Sequence, residues 1–137
     1  MKKCVFCQII KGESPSWKVY EDDLAIAMLD IYPAASGHVL VLPKKHYQDL
    51  YDVPQELVAH IGAVCKKVAV NLKKSLGVKS VNLIHGSGKQ AQQDIFHFHM
   101  HVVPREEGDG FKLHYEPLKK EKTDFDKIMK SIKEFPV

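Results

Sequence analysis

Residues 95–104 read IFHFHMHVVP, and a strict alternation of histidine with apolar residues admits few local structures. Side chains alternate faces along a strand. The period of two therefore predicts an extended segment with His97, His99 and His101 on one face and Phe96, Phe98, Met100 and Val102 on the other. The apolar face is expected to pack on a helix. Proline has no ladder donor, so Pro104 is expected to close the strand. Successive imidazoles then stand roughly 7 Å apart along the face.

The 137-residue chain supplies enough elements for one domain and is short for two. KCVFCQIIKGESPS opens with a Cys-x-x-Cys pair and a short apolar patch, predicting one or two helical turns ended at Gly12. WKVYEDDLAIAMLD predicts a hairpin turning at Glu21–Asp23. HVLVLPKKH is apolar on both faces, which predicts a central strand. One long helix follows. Leu57, Ile61, Val64, Val68 and Leu72 recur at spacings of three and four, with Lys66, Lys67, Lys73 and Lys74 off that stripe. Asp52 is expected to cap the helix with Gln55 as its partner, and Gly77 to end it. KSVNLIH predicts another strand, GSGKQAQQ a loop, and FDKIMKSIKEF a C-terminal helix. The order predicts an α+β fold with an antiparallel sheet. A single domain is expected, with a core over about 4–111 and a helical tail over about 123–134.

Composition narrows the function classes. Hydrophobic residues make up 45% and charged residues 27%. The net charge of +3 favours phosphorylated ligands without arguing for nucleic acid. Neither a membrane span nor a secretory leader is read from the sequence, so a cytoplasmic location with reduced thiols is expected. The three cysteines then read as thiols or metal ligands rather than a disulfide framework. Cys65 falls on the apolar side of the long helix and reads as core.

Three imidazoles in a row make a poor hydrophobic surface and a good reactive one. Threonine, lysine or glutamate would serve a merely wetted sheet face equally well. Two chemistries remain open from the residues alone. The histidines could hold a catalytic zinc with an open position for activated water. Alternatively, a neutral imidazole could attack an electrophile while its neighbours orient it and handle charge.

HFHMHVV at His97–Val103, preceded by LDIYPAASGHVLVLPKKH and by the opening C-x-F-C-x-I-I-x-G-E-x-P-S, resembles the histidine-triad family of nucleotide hydrolases and transferases. The resemblance runs from about Cys4 to Phe111 and leans toward bacterial and archaeal members related to adenosine phosphoramidases. It implies a hydrolase acting at the α-phosphate of purine nucleotides: phosphoramidates, aminoacyl adenylates or dinucleotide polyphosphates. His99 would be the nucleophile, His101 a donor to phosphate oxygens, His97 an orienting group and His38 a further active-site histidine. Asp30 would accept from the ribose hydroxyls, with Phe6, Ile9, Met28, Ile31 and Leu40 around the base. Gln93 would contact the phosphate or leaving-group side, with Ser87 and Asp94 as weaker candidates. The resemblance also implies a structural Zn²⁺ on Cys4, Cys7, His46 and His97, no organic cofactor, and a homodimer paired through the helix and a neighbouring strand. The chain departs from the family at Gln92, where glycine is usual; if the backbone there needs positive φ, Gln92 is strained. The alternatives are a zinc hydrolase with the triad as ligands and a nucleotide-binding regulatory module with negligible turnover.

Overall fold

The structure is a computed structural model that describes residues 4–118 and 124–135; the basic start and position 123 of the expected tail lie outside them. Five antiparallel strands form one sheet: β1 (Lys18–Glu21), β2 (Ala25–Leu29), β3 (Val39–Pro43), β4 (Ser80–Ile84) and β5 (Met100–Arg105), in the spatial order β1-β2-β3-β5-β4. Helix α1 (Val5–Ile10) precedes the sheet, α2 (Gln55–Leu76) joins β3 to β4, and α3 (Phe125–Lys133) lies near the C-terminus. Among the described residues, no helix is long and apolar enough to cross a membrane.

The double-sided apolar pattern of β3 places it at the centre of the sheet, every residue buried. Its odd and even positions enter two separate cores. Val39 and Val41 join Ala25, Ala27 and the α2 residues Ile61, Val64, Cys65, Val68 and Leu72. Leu40 and Leu42 join Ile26, Met28 and Phe6 of α1. The long helix thus covers one face. The short helix covers part of the other and leaves the rest for a site. Burial pushes the Cys65 thiol up to about 11, so it stays protonated and acts as core.

Four expectations need correction. The N-terminal boundary of α2 is Pro54, without a side-chain cap; the carboxylate of Asp52 accepts instead from the backbone N–H of Gln48, at 2.7 Å. Strand β5 begins at Met100, so His97 and His99 precede it. Two positions further on, its register with β3 would set Phe98 opposite Pro43, which has no N–H to give. Phe98 N–H donates to Tyr47 O at 2.7 Å instead. Nor does Pro104 end the strand. It pairs with Val81 of β4, and β5 runs on to Arg105. Pairing with β3 already stops at Val102, so the missing donor of Pro104 faces no partner there. Finally, Phe96 is 44% exposed, whereas Phe98, Met100 and Val102 pack toward α2. Gly77 ends α2 as expected, at φ 71°.

Candidate active site

The histidines at positions 38, 97, 99 and 101 each have at least one ring nitrogen engaged by the backbone or by another ring, and the hydrogen bonds decide the tautomers. His99 Nδ1 lies 2.6 Å from His97 O. A carbonyl accepts only, so Nδ1 carries the proton and Nε2 is a free lone pair. His38 Nδ1 accepts from Ala34 N–H at 3.0 Å, which places the His38 proton on Nε2. That Nε2–H donates to His101 Nδ1 at 2.9 Å. His101 must then carry its own proton on Nε2, as a donor with no other task. An unprotonated nitrogen and an N–H donor are thereby set side by side on rings 5.0 Å apart.

Burial keeps these rings neutral. His99 is pushed below the ordinary imidazole range chiefly by desolvation. His101 is pushed down to about 4 by desolvation and by its neighbours His99 and His38. His38 is lowered by burial, an effect the Asp30 carboxylate opposes from 3.5 Å. Phe6 packs edge-on against His99 at 5.2 Å and His97 at 5.8 Å, fixing both rings from the α1 side.

His97 is turned away from the other two. Its Nε2–H donates to Pro43 O at 2.8 Å, the carbonyl freed when the ladder stops. Its Nδ1 lone pair lies 3.5 Å from Cys4 Sγ and 3.7 Å from Cys7 Sγ, and His46 Nδ1 lies 3.3 Å from Cys7 Sγ. Zinc bonds of about 2.3 Å to sulfur and 2.0–2.1 Å to nitrogen, at tetrahedral angles, put S and N about 3.6 Å apart. The four donors, all within 4.8 Å of one another, therefore fit one tetrahedral zinc. Burial and the neighbouring Cys4 push the Cys7 thiol up, a shift a bound cation would reverse. Such a centre is closed and offers no site for substrate. The triad rings do not converge on one point, because His97 faces the cysteines while His101 faces His38.

Two cavities meet at His99 and His101. The larger, about 590 Å³, is walled by Phe6, Ile9, Met28, Ile31 and Leu40, with Asp30 and Asp94 at its polar end. Asp30 Oδ1 already accepts from Tyr32 N–H at 2.8 Å, and Oδ2 faces His38 and His101. The smaller, about 260 Å³, lies on the β4 side and includes Gln92, Gln93 and Asp94. Gln93 is buried with its amide committed: Oε1 accepts from Gly88 N–H, and Nε2 donates to Gln48 O and Ile95 O. It holds the loop and has no N–H left for a phosphate. Ser87 lines neither cavity. Its Oγ accepts from Leu50 N–H at 2.9 Å and bonds His85 Nε2 at 2.6 Å.

His85 is the residue sequence reasoning missed. Its Nδ1–H donates to His99 O at 2.8 Å and its ring packs on Phe98, bracing the backbone that carries the nucleophile candidate. The available signal was its place at the end of a strand beside glycine, the mirror of His38 at the start of one.

An antiparallel sheet with three alternating histidines leading into one strand, two of them, His99 and His101, against an apolar cavity, defines the histidine-triad class of proteins. The chain belongs to the HIT family: the HIT domain model matches residues 11–108. Adenosine 5'-monophosphoramidase HNT1 of Saccharomyces cerevisiae is 38% identical, the match covering 96% of this chain and 79% of that protein. Among solved structures, a HIT family protein from Bacillus anthracis superposes with a TM-score of 0.90 at 38% identity, covering 97% of this chain and 96% of that one. A zinc-bound histidine triad family protein from Mycobacterium smegmatis gives 0.78 at 41% identity, covering 87% and 86%.

Proposed function

We propose that this protein is a hydrolase of purine nucleotides that acts at the α-phosphate through a nucleotidyl-histidine on His99. One observation carries the reading: the His97 carbonyl holds His99 Nδ1–H and leaves Nε2 as a lone pair beside the N–H of His101. The family relation to a phosphoramidase supports it. The larger cavity would take the nucleoside, its aliphatic walls gripping a purine by dispersion and Asp30 accepting from the ribose.

In the first step His99 Nε2 forms a bond to phosphorus and the bond to the leaving group breaks. The leaving nitrogen, protonated in the P–NH₃⁺ form of the phosphoramidate, departs as the neutral amine, while His101 Nε2–H donates to the phosphate oxygens. His97 O stabilises the charge that develops on the His99 ring. In the second step water attacks phosphorus, the P–N bond breaks to restore the His99 Nε2 lone pair, and the water's proton passes to the released amine or to solvent, releasing the nucleoside monophosphate. Cys4, Cys7, His46 and His97 would hold zinc, which in a closed tetrahedron supplies cross-linking rather than chemistry. The same reading includes a homodimer. Leu83 of β4 and Val70 and Leu76 of α2 expose apolar surface on that side of the sheet, and light scattering should return twice the chain mass.

The test is a rapid quench with adenosine phosphoramidate. It should trap a chain heavier by one nucleotidyl group, labile in acid and mapped to His99. His99→Ala should lose turnover by a factor of about 10³ or more while retaining nucleotide binding. Comparable turnover by that variant, or an adduct on another histidine, defeats the assignment.

A further inference from the structure

Gln92 stands in a conformation its side chain opposes. At φ 65° and ψ 26° it is the single non-glycine residue with positive φ among the described residues. An L side chain at such a position crowds the backbone, and a fold that retains the strain has to over-determine it locally. The loop does so. Gln93 Oε1 accepts from Gly88 N–H at 2.8 Å, Gln93 N–H donates to Gly88 O at 3.1 Å, and Ala91 N–H donates to the same carbonyl at 3.1 Å. Gly86 lets the other limb close in, since a Cβ there would run into the Ala91 carbonyl oxygen. The turn holds the Gln92 backbone in place, and its exposed side chain lines the smaller cavity.

Phe111, another lining residue, is fixed as well. The Phe111 ring lies under the Arg105 guanidinium at 4.8 Å, and Arg105 is anchored by Asp109 at 2.7 and 3.0 Å and by Asn82 at 2.6 Å. Ile84 and Val103 add apolar lining to the same cavity. The cavity has less than half the volume of its neighbour, about 260 against about 590 Å³. No lysine or arginine lines it; Asp94 is the formally charged residue among its lining side chains, and burial keeps His38 and His101 neutral. Such a place does not welcome a chain of phosphates, which needs cationic partners. The Gln92 carboxamide, which makes no hydrogen bond with the other described residues, can both donate and accept.

We propose that Gln92 determines leaving-group specificity: its side chain narrows the smaller cavity so that it accepts a compact, non-anionic amine and rejects both bulky amines and a second nucleotide joined through phosphates. The proposal rests on the hydrolase reading above and names the leaving-group class for that same site.

The experiment compares kcat/KM of the zinc-loaded full chain and of Gln92→Gly and Gln92→Ala on three substrates. These are adenosine 5'-phosphoramidate, its N-linked derivative with a bulky aryl-ethylamine, and diadenosine triphosphate. Wild type should favour the unsubstituted phosphoramidate over both others. Both variants should raise the ratio of bulky to unsubstituted kcat/KM by about tenfold, mostly through KM, because both remove the same wall. An unchanged ratio overturns the role of Gln92 while leaving the hydrolase reading intact. A change in Gln92→Gly alone also overturns it, because the loop backbone rather than the side chain would then be responsible. A preference of wild type for diadenosine triphosphate overturns the leaving-group class. Absence of wild-type turnover on all three substrates removes the hydrolase reading and this inference together.

Discussion

Replacing Cys7 by alanine tests how much of the fold depends on the Cys₂His₂ cluster. Helix α1 has six residues and no side-chain cap at its N-terminus, far below the length at which a helix stands alone in water. Two things keep it in place: the cluster, and the packing of Phe6 with the half-buried Cys4, Ile9 and Ile10 on the Ile26, Met28, Leu40 and Leu42 face. The second core, between the sheet and α2, contains none of these residues and should survive. Losing the metal therefore should not unfold the chain as it unfolds a zinc finger; it should release α1. Burial of Phe6 is worth about 2–3 kcal/mol and the partly buried aliphatic neighbours about 1–2 more, for a total of about 4 kcal/mol. A 137-residue chain has an unfolding entropy of about 0.29 kcal/mol/K near its midpoint, so Tm should fall by about 14 °C. Scanning calorimetry with elemental analysis of the same samples reads both quantities. Wild type should carry about one zinc per chain and Cys7→Ala none, with the far-ultraviolet dichroism of α2 preserved at room temperature. Nucleotide affinity should fall as well, because Val5, Phe6 and Ile9 wall the larger cavity. A variant that melts within about 2 °C of wild type, or that keeps its metal, refutes the reasoning.

Acid should destabilise the protein through His101. Its folded pKa, pushed down to about 4, lies below the ordinary 6.5, so the unfolded chain binds the proton first and stability is lost as pH falls from about 6.5 toward 4. At pH 5 the loss is about 2 kcal/mol, and urea midpoints of His101→Asn should show a correspondingly shallower decline between pH 7.5 and 5; equal slopes would contradict it. Asp30→Ala should weaken ribonucleotide binding, and the variant should no longer distinguish ribose from deoxyribose by titration calorimetry. Undiminished discrimination would place ribose recognition elsewhere.

Much of the architecture was legible because it depends on local patterns. An apolar run on both faces has to be a central strand, and β3 is one. A stripe at spacings of three and four has to be a helix packed on one side, and α2 is one, with Gly77 past its end. The Cys-x-x-Cys spacing already amounted to half of a tetrahedral cluster, and the alternation of histidines pointed to His99 and His101 at one site, although His97 turns to the cysteines instead. The condition of positive φ at position 92 came from the family resemblance, in which glycine is usual there, and the backbone meets it at φ 65°.

Pairing partners and hydrogen-bond assignments were not legible, because they depend on residues distant in sequence. Pro104 looked like a strand terminus, but whether a proline interrupts a ladder depends on which neighbour its missing N–H would face. Pro43, fifty-odd positions upstream of the histidines, is the proline that stops the β3–β5 ladder, and its freed carbonyl orients His97. Asp52 had the right spacing for a cap, yet Gln48 N–H competes for its carboxylate. The amide of Gln93 is consumed by three backbone groups that no spacing rule brings together. His85 acquires its role only when β4 lies beside β5 and sets it under the His99 carbonyl. The sequence by itself thus determined which residue types face the site. Tertiary structure decided which nitrogen of each ring holds its proton, because a tautomer is set by the donor or acceptor that folding brings to the ring's other side.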